Sequence, residues 1–123
     1  LLKHDGQMLI QAIVTDYRHG GADPWIDKYI FPNGTLPSHS ELVDATEDLF
    51  YWESVDNIGP SYEHTLLAWW RNLEQGYNKL QSDNPTKYTD TVLRMFKYYL
   101  HSCAALARTR RMHTWQIHFT PKN

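Results

Sequence analysis

Three stretches of the sequence carry the apolar patterns of β-strands. Residues 8–15 are almost continuously apolar, which is typical of a strand covered on both faces, as in a parallel sheet. Residues 49–56 form a β-like run rich in aromatic side chains. Along residues 112–119, one face carries His113, Trp115, Ile117 and Phe119, and the other carries Thr114, Gln116 and His118. This alternation predicts a third strand, which is the last element of the chain.

Two longer stretches have the three- and four-residue spacing of helices that bury one face. Residues 62–80 are predicted to form a helix of about five turns. Residues 92–106 are predicted to form a second long helix, and its end is basic. The apolar positions that carry the two patterns are Leu66, Trp69, Leu73, Tyr77 and Leu80, then Val92, Met95, Phe96, Tyr99, Cys103 and Leu106.

Two short helices are indicated by their first residues. Pro24 suits the first turn of a helix over residues 24–31, and Asp23 is a suitable N-cap for it. Ser38 and Glu41 have the capping-box spacing that begins a second short helix. Between them, two prolines and a glycine predict a rigid loop.

The order of these elements indicates half of an α/β fold. A sheet of three strands with this many helices is a poor complete domain, because its first strand exposes an edge that is suited to pairing. Leu1, Leu2 and Lys3, followed by Gly6, have the pattern of the last turn of a helix. We therefore expect residues 1–123 to be the C-terminal portion of one domain that begins upstream.

Composition narrows the class of protein. A length of 123 residues fits one core, and a formal charge of -2 gives no electrostatic reason to expect nucleic acid as a partner. The single cysteine, Cys103, excludes an internal disulfide and fits a reducing compartment. No signal peptide is visible, and no apolar run approaches the roughly 20 residues that cross a bilayer. These features predict a soluble, cytoplasmic protein.

Most candidate sites have a structural interpretation that is favoured over a functional one. The chain has no glycine-rich nucleotide loop. His113 and His118 fall on opposite strand faces with no third ligand at a suitable spacing, so no metal site is predicted. Cys103 lies on an apolar helical face, where a buried structural thiol is favoured over a nucleophile. The basic residues at 108–111 are interpreted as a helix-end charge group rather than a phosphate contact.

Two polar side chains occupy unusual places. Tyr62 begins an apolar helix directly after a turn that contains Gly59 and Pro60. Burial of the ring with the hydroxyl in water is the favoured interpretation, and a functional hydroxyl is the alternative. Gln11 lies within the apolar run at 8–15, near the strand end where open α/β sheets bind ligands. A buried amide there must find hydrogen-bond partners. The favoured interpretation is structural, with neighbouring protein groups supplying those partners.

The sequence resembles the C-terminal part of cyclopropane-fatty-acyl-phospholipid synthases over essentially its whole length. The segments KYIFPNGTLPS, NIGPSYEHTLLAWW and RMFKYYLHSCAALARTRRMHTWQIHF are similar to that family in order and spacing. LLKHDG resembles the Leu-Lys-Pro-Gly-Gly turn before the fifth strand of class I S-adenosylmethionine-dependent methyltransferases. The resemblance implies the C-terminal half of a Rossmann-like fold with three strands and several helices. We expect residues 112–119 to lie between the other two strands, antiparallel to both.

The resemblance also implies a reaction and its site residues. The family transfers a methyl group from S-adenosylmethionine to a cis double bond of a phospholipid acyl chain, and a bound bicarbonate accepts a proton. Tyr62, Ile13 and Gln11 correspond to bicarbonate-site positions. Where many members carry histidine, this chain has Gln11, which can donate a hydrogen bond but does not titrate near neutrality. The sequence therefore leaves undecided whether the final product is a ring, a methyl branch or a methylene.

Cofactor and partner expectations follow from the same resemblance. S-adenosylmethionine would be bound by the missing N-terminal half, so no cofactor-binding residue is assigned in this chain, and the isolated chain is expected to be inactive. Phospholipid acyl chains at the surface of the inner membrane are the expected partners, and a homodimer is left open. Two alternatives are a non-catalytic lipid-binding or scaffolding subunit and a methyltransferase that acts on another small molecule.

Overall fold

A computed structural model describes residues 2–3, 5–18 and 23–122. The elements are β1 (Met8–Val14), α1 (Pro24–Tyr29), α2 (His39–Thr46), β2 (Phe50–Asn57), α3 (Gly59–Asp83), α4 (Asp90–Arg108) and β3 (His113–Pro121). This order confirms the predicted α/β class and each predicted strand and helix. Leu1, which belongs to the predicted last turn of a preceding helix, lies outside the described ranges. The N–H of Gly6 closes a turn by donating to the Lys3 carbonyl oxygen at 2.9 Å.

The three strands form one sheet in the order β1-β3-β2. β3 is antiparallel to both neighbours, and Ile13 of β1 lies opposite Thr114 while Asn57 of β2 lies opposite Trp115. The predicted central position of the last strand is therefore confirmed. The expectation that β1 is covered on both faces is wrong for the described residues, because Leu9 is 65% exposed. The long helices cover only the part of that face near the end of β1.

The two short helices begin where the sequence predicts. The Asp23 carboxylate accepts hydrogen bonds from the first backbone N–H groups of α1. At the start of α2, Ser38 and Glu41 form the complete capping box, each side chain accepting from the other residue's backbone N–H. Local hydrogen bonding thus fixes both helix starts before any tertiary contact is considered.

The first face of the sheet packs against α2. Ile117 and Phe119 of β3 are fully buried there, together with Val14 at the end of β1. Trp52 of β2 meets Phe119 edge to face at 5.1 Å, and its indole Nε1–H donates to Thr46 of α2 at 3.0 Å. The large rings therefore join α2 to β2 and β3 through apolar contact with one satisfied polar group.

The opposite face packs against the hairpin of α3 and α4. Their apolar stripes form a second core, whose buried members are Leu66, Trp70, Leu100, Cys103, Ala104, Ala107 and Met112. Tyr77 is also buried on α3, and its hydroxyl donates to the Thr89 carbonyl oxygen at 2.8 Å, which ties α3 to the start of α4. Within the described ranges, neither of these helices nor any other is long and apolar enough to cross a membrane.

The start of α3 lies very close to the start of β3 at Gly59. A Cβ atom at this position would be 3.1 Å from the Thr114 backbone nitrogen and 3.3 Å from the His113 Cα. The Gly59 N–H donates to the Asn57 side-chain oxygen at 2.9 Å, which closes the turn between β2 and α3. A side chain at position 59 would therefore require the β3 backbone and the Asn57 side chain, whose oxygen would be 2.9 Å from the new Cβ, to shift.

Replacing Gly59 with alanine is expected to destabilise the protein by about 1–3 kcal/mol, because the new methyl group must displace backbone atoms of β3. Gly76→Ala is the matched control within the same helix, since a Cβ there meets no atom within 4 Å. That change should stabilise the protein by about 0.5–1 kcal/mol through helix propensity. Chemical denaturation measures both free energies of unfolding, and a Gly59→Ala variant as stable as its parent would contradict the close packing.

Candidate functional site

An open cavity of about 430 Å³ lies between the end of β1, the loop after α1 and the second half of α4. Most of its wall is apolar. The lining residues are Ile13, Thr15, Asp23, Ile26, Phe31, Gly34, Thr35, Leu36, Tyr99, Cys103, Leu106, Arg111 and Met112. Its volume and lining are those of a site for a small or chain-like apolar ligand.

The loop after α1 forms one wall and is held rigidly, as the sequence predicts. Asn33 has a φ of 61°, and its N–H donates to the Asp27 carboxylate at 2.9 Å. The Gly34 N–H donates to the Phe31 carbonyl oxygen at 2.9 Å. A Cβ at Gly34 would be only 2.9 Å from that same oxygen. The backbone geometry of the turn therefore explains why asparagine and glycine occupy these two positions, without reference to a ligand.

Tyr62 lies in the first turn of α3 and is half-buried against the second core. Its ring meets Trp69 edge to face at 6.0 Å. Burial raises the pKa of the Tyr62 hydroxyl, and Cys103 adds to the rise. The hydroxyl makes no hydrogen bond within the part of the chain that the structure describes. It is therefore a neutral donor without an acceptor among the described residues.

Tyr99 and Cys103 give the cavity an uncharged floor. Burial raises the pKa of Tyr99 to about 12, with smaller contributions from Cys103 and Tyr62. Burial alone raises the pKa of Cys103 to about 11. The prediction that Cys103 is a buried structural thiol is confirmed by its 8% exposure. A thiol with this pKa is almost entirely protonated at neutral pH, which is the opposite of a nucleophilic cysteine.

The structure brings together two of the three residues assigned by resemblance. Ile13 lines the cavity and packs against the same core as Tyr62. Gln11, two residues earlier on the same strand face, is exposed, and its side-chain oxygen accepts from the Gln116 amide at 2.8 Å. The expectation of a buried amide at position 11 is therefore wrong for the described residues, because α3 and α4 do not extend over that part of β1.

Two of the basic residues at 108–111 have different partners, which the sequence pattern does not distinguish. Arg108 pairs with Glu63 of α3, and the hydrogen bond from its guanidinium lowers the pKa of that carboxyl. This pair fits the predicted helix-end charge group. Arg111 instead lines the cavity and donates to the Tyr17 hydroxyl at 2.5 Å. Nothing in the local pattern distinguishes Arg111 from its neighbours, because its position depends on the turn that follows α4.

The family is decided by the comparison with protein-family models. The model described as mycolic acid cyclopropane synthetase matches residues 1–117. The chain belongs to this family. Membership confirms the resemblance on which the sequence-based fold and function rested.

Named family relatives extend well beyond this chain. The cyclopropane-fatty-acyl-phospholipid synthase of Escherichia coli K12 is 38% identical over 119 residues, which are 97% of this chain and 30% of that enzyme. The tuberculostearic acid methyltransferase UfaA1 of Mycobacterium tuberculosis is 30% identical over 124 residues, covering 94% of this chain and 28% of that protein. The chain therefore spans less than a third of the length of either relative.

Solved structures of cyclopropane synthases share the fold. MmaA2 from Mycobacterium tuberculosis superposes with a TM-score of 0.83 at 21% identity, covering 98% of this chain and 46% of that one. CmaA1 complexed with SAH and CTAB superposes with a TM-score of 0.80 at 25% identity and the same coverage. Three strands and two long helices of this family member thus correspond to about half of a cyclopropane synthase.

The Cys103 thiol is expected to be alkylated about 100-fold more slowly at pH 8 than an unperturbed thiol, because a pKa of about 11 leaves that much less thiolate. The rate should continue to rise as the pH approaches 11. Peptide mass spectrometry after treatment with iodoacetamide measures it, with denatured protein as the control. Equal rates in the native and denatured protein would show that the thiol is not protected.

Proposed function

We propose that the natural protein containing this chain is an S-adenosylmethionine-dependent cyclopropane-fatty-acyl-phospholipid synthase. Its substrate is a phospholipid acyl chain with a cis double bond. The observation that supports this most directly is the apolar cavity beside Ile13, with a neutral Tyr62 hydroxyl in the adjoining core that bonds to none of the described residues. The 38% identity to the Escherichia coli synthase supports the same assignment.

The wall of the cavity suits an acyl chain better than a polar small molecule. Ile26, Leu36 and Met112 offer no hydrogen bonds, and a methylene chain gains about 0.8 kcal/mol for each buried CH₂ group. Among the described lining residues, Arg111 is the only cation, and it lies where a lipid phosphate could approach from solvent. Asp23, the one carboxylate among the described lining residues, is engaged in capping α1, so the apolar wall with Arg111 at its rim supports a phospholipid.

When bound, S-adenosylmethionine supplies an electrophilic methyl group. We assign its binding to sequence outside residues 1–123, because this chain has no glycine-rich loop between a strand and a helix. Bicarbonate would be held by Tyr62, because its neutral hydroxyl can donate a hydrogen bond to an anion. Gln11 lies apart on the exposed part of β1, with its side-chain oxygen bonded to Gln116, so it is not assigned to the same anion.

The chemistry requires protection of a cation on the lipid. Carbon–carbon bond formation to the alkene accompanies cleavage of the sulfur–methyl bond and leaves a carbocation on the adjacent carbon. Loss of a proton from the transferred methyl group then closes the ring, and S-adenosylhomocysteine leaves. The apolar wall excludes water that would capture the cation. Tyr62 holds the acceptor of the proton by donating a hydrogen bond to it.

Tyr62→Phe in the complete enzyme is expected to lower the rate of ring formation by about 10² to 10⁴, the usual contribution of a positioned general base. Folding should be preserved, because the phenylalanine ring buries nearly the same apolar area. Mass spectrometry of the phospholipid product measures turnover, and thermal unfolding measures stability.

Tyr77→Phe is the matched control on the same helix. Its hydroxyl is bonded to the Thr89 carbonyl oxygen, so its loss should cost about 1 kcal/mol of stability with little effect on turnover. Normal turnover in a folded Tyr62→Phe variant would remove Tyr62 from the reaction. No turnover of phospholipid by the complete parent protein would favour the non-catalytic subunit or a different substrate.

A further inference from the structure

A cluster of metal-ligand side chains lies outside the cavity, at the end of the sheet where α3 begins. In the sequence, His113 has no third ligand at a suitable spacing beside His118. Folding instead places His113 beside Asp16 and His39, with one ligand atom from each residue within 4.8 Å of the others. We propose that Asp16, His39 and His113 bind a divalent cation of the zinc class, and that the ion fastens α2 and β1 to β3.

Backbone hydrogen bonds place the three ligands before any ion binds. The Thr15 N–H donates to the Pro37 carbonyl oxygen at 3.0 Å, and the His39 N–H donates to the Thr15 carbonyl oxygen at 3.3 Å. These bonds hold the start of α2 against the end of β1, next to Asp16. His113 lies opposite Val14 in the sheet register. Three separate elements therefore converge on one point, which is the preorganisation that a metal site requires.

The spacing of the ligand atoms is that of a metal site. The Asp16 Oδ1 atom is 3.2 Å from His113 Nε2 and 3.6 Å from His39 Nδ1. Two ligands that each lie about 2.0–2.1 Å from a tetrahedral zinc ion are about 3.3 Å apart. Asp16 is 46% exposed, so the fourth position is open to water. Two imidazoles and one carboxylate form a donor set that zinc accepts.

One nitrogen of each imidazole, Nε2, is buried and makes no hydrogen bond in the described part of the chain. In His113 this orphaned nitrogen is the atom that faces Asp16, whereas in His39 it is Nδ1 that faces Asp16. The contact from His113 to Asp16 is short enough for an ion pair but is not aligned as a hydrogen bond.

Neighbouring side chains orient both rings. His39 stacks on Trp115 with the ring centroids 4.1 Å apart and the planes within 4° of parallel. The Asn57 side-chain nitrogen lies 3.2 Å from His113 Nδ1, while its oxygen accepts from the Gly59 N–H. With the Asn57 amide as donor, His113 carries its proton on Nε2, so metal binding must move or release that proton.

This protonation makes a specific variant informative. Asn57→Asp keeps an oxygen for the Gly59 N–H and offers a second oxygen to His113 Nδ1–H, which is the carboxylate–histidine–zinc arrangement found in many metal sites. We expect it to bind Zn²⁺ about tenfold more tightly than the parent protein does. A cluster with only a structural role in the sheet would not show this gain.

The experiment is calorimetric titration of the complete natural protein with Zn²⁺, together with the absorption spectrum of its Co²⁺ form. The parent should bind one equivalent of Zn²⁺, and this binding should weaken when a residue of the cluster is replaced. The Co²⁺ form should show tetrahedral ligand-field bands. Asp16→Asn and His113→Gln should each weaken that binding by about 10-fold or more. Asp16 is exposed at the surface, so its variant should fold even if the His113 variant does not.

His118→Gln is the matched control, because His118 lies on the same strand but on the opposite face. It should bind Zn²⁺ as the parent does. The proposal is overturned if the parent shows no saturable binding, if Asp16→Asn leaves the affinity unchanged, or if His118→Gln weakens binding as much as the cluster variants. These readouts do not use turnover, so they are independent of the proposed synthase activity.

Discussion

The contact between the start of α3 and the start of β3 determines the positions of both candidate sites. Gly59 allows the two backbones to approach, and the Ile58 N–H donates to the Thr114 carbonyl oxygen at 2.9 Å. The helix therefore leaves the sheet at a fixed point, and Tyr62 enters the second core within one turn. The same turn places Asn57 against His113. A larger residue at position 59 would separate α3 from β3 and disturb both places at once.

Successive side chains of β3 point to opposite faces of the sheet. Thr114, opposite Ile13, faces the helical hairpin, whereas His113 and Trp115 face the side covered by α2. The strand is central in the described sheet, so it is bonded on both edges and presents these side chains rigidly. One strand end can thus support an apolar cavity on one face and a cluster of ligand atoms on the other.

Burial sets the chemistry of the cavity floor. Tyr62, Tyr99 and Cys103 all have raised pKa values because their charged forms would lose hydration. The floor formed by Tyr99 and Cys103 is consequently neutral at physiological pH, which suits an acyl chain, and the Tyr62 hydroxyl in the adjoining core stays a hydrogen-bond donor. A charged floor would attract water, and water would compete with the proposed loss of a proton from a lipid cation.

The sequence by itself determined the features that depend on near neighbours. The capping residues Asp23 and Ser38, the two helical stripes and the alternation along β3 are local patterns, and family resemblance added the strand order. Tertiary structure alone decided the exposure of Gln11, the place of Arg111 at the cavity and the meeting of Asp16, His39 and His113. The physical reason is that periodicity specifies which face a side chain occupies, whereas packing between distant segments decides what covers that face.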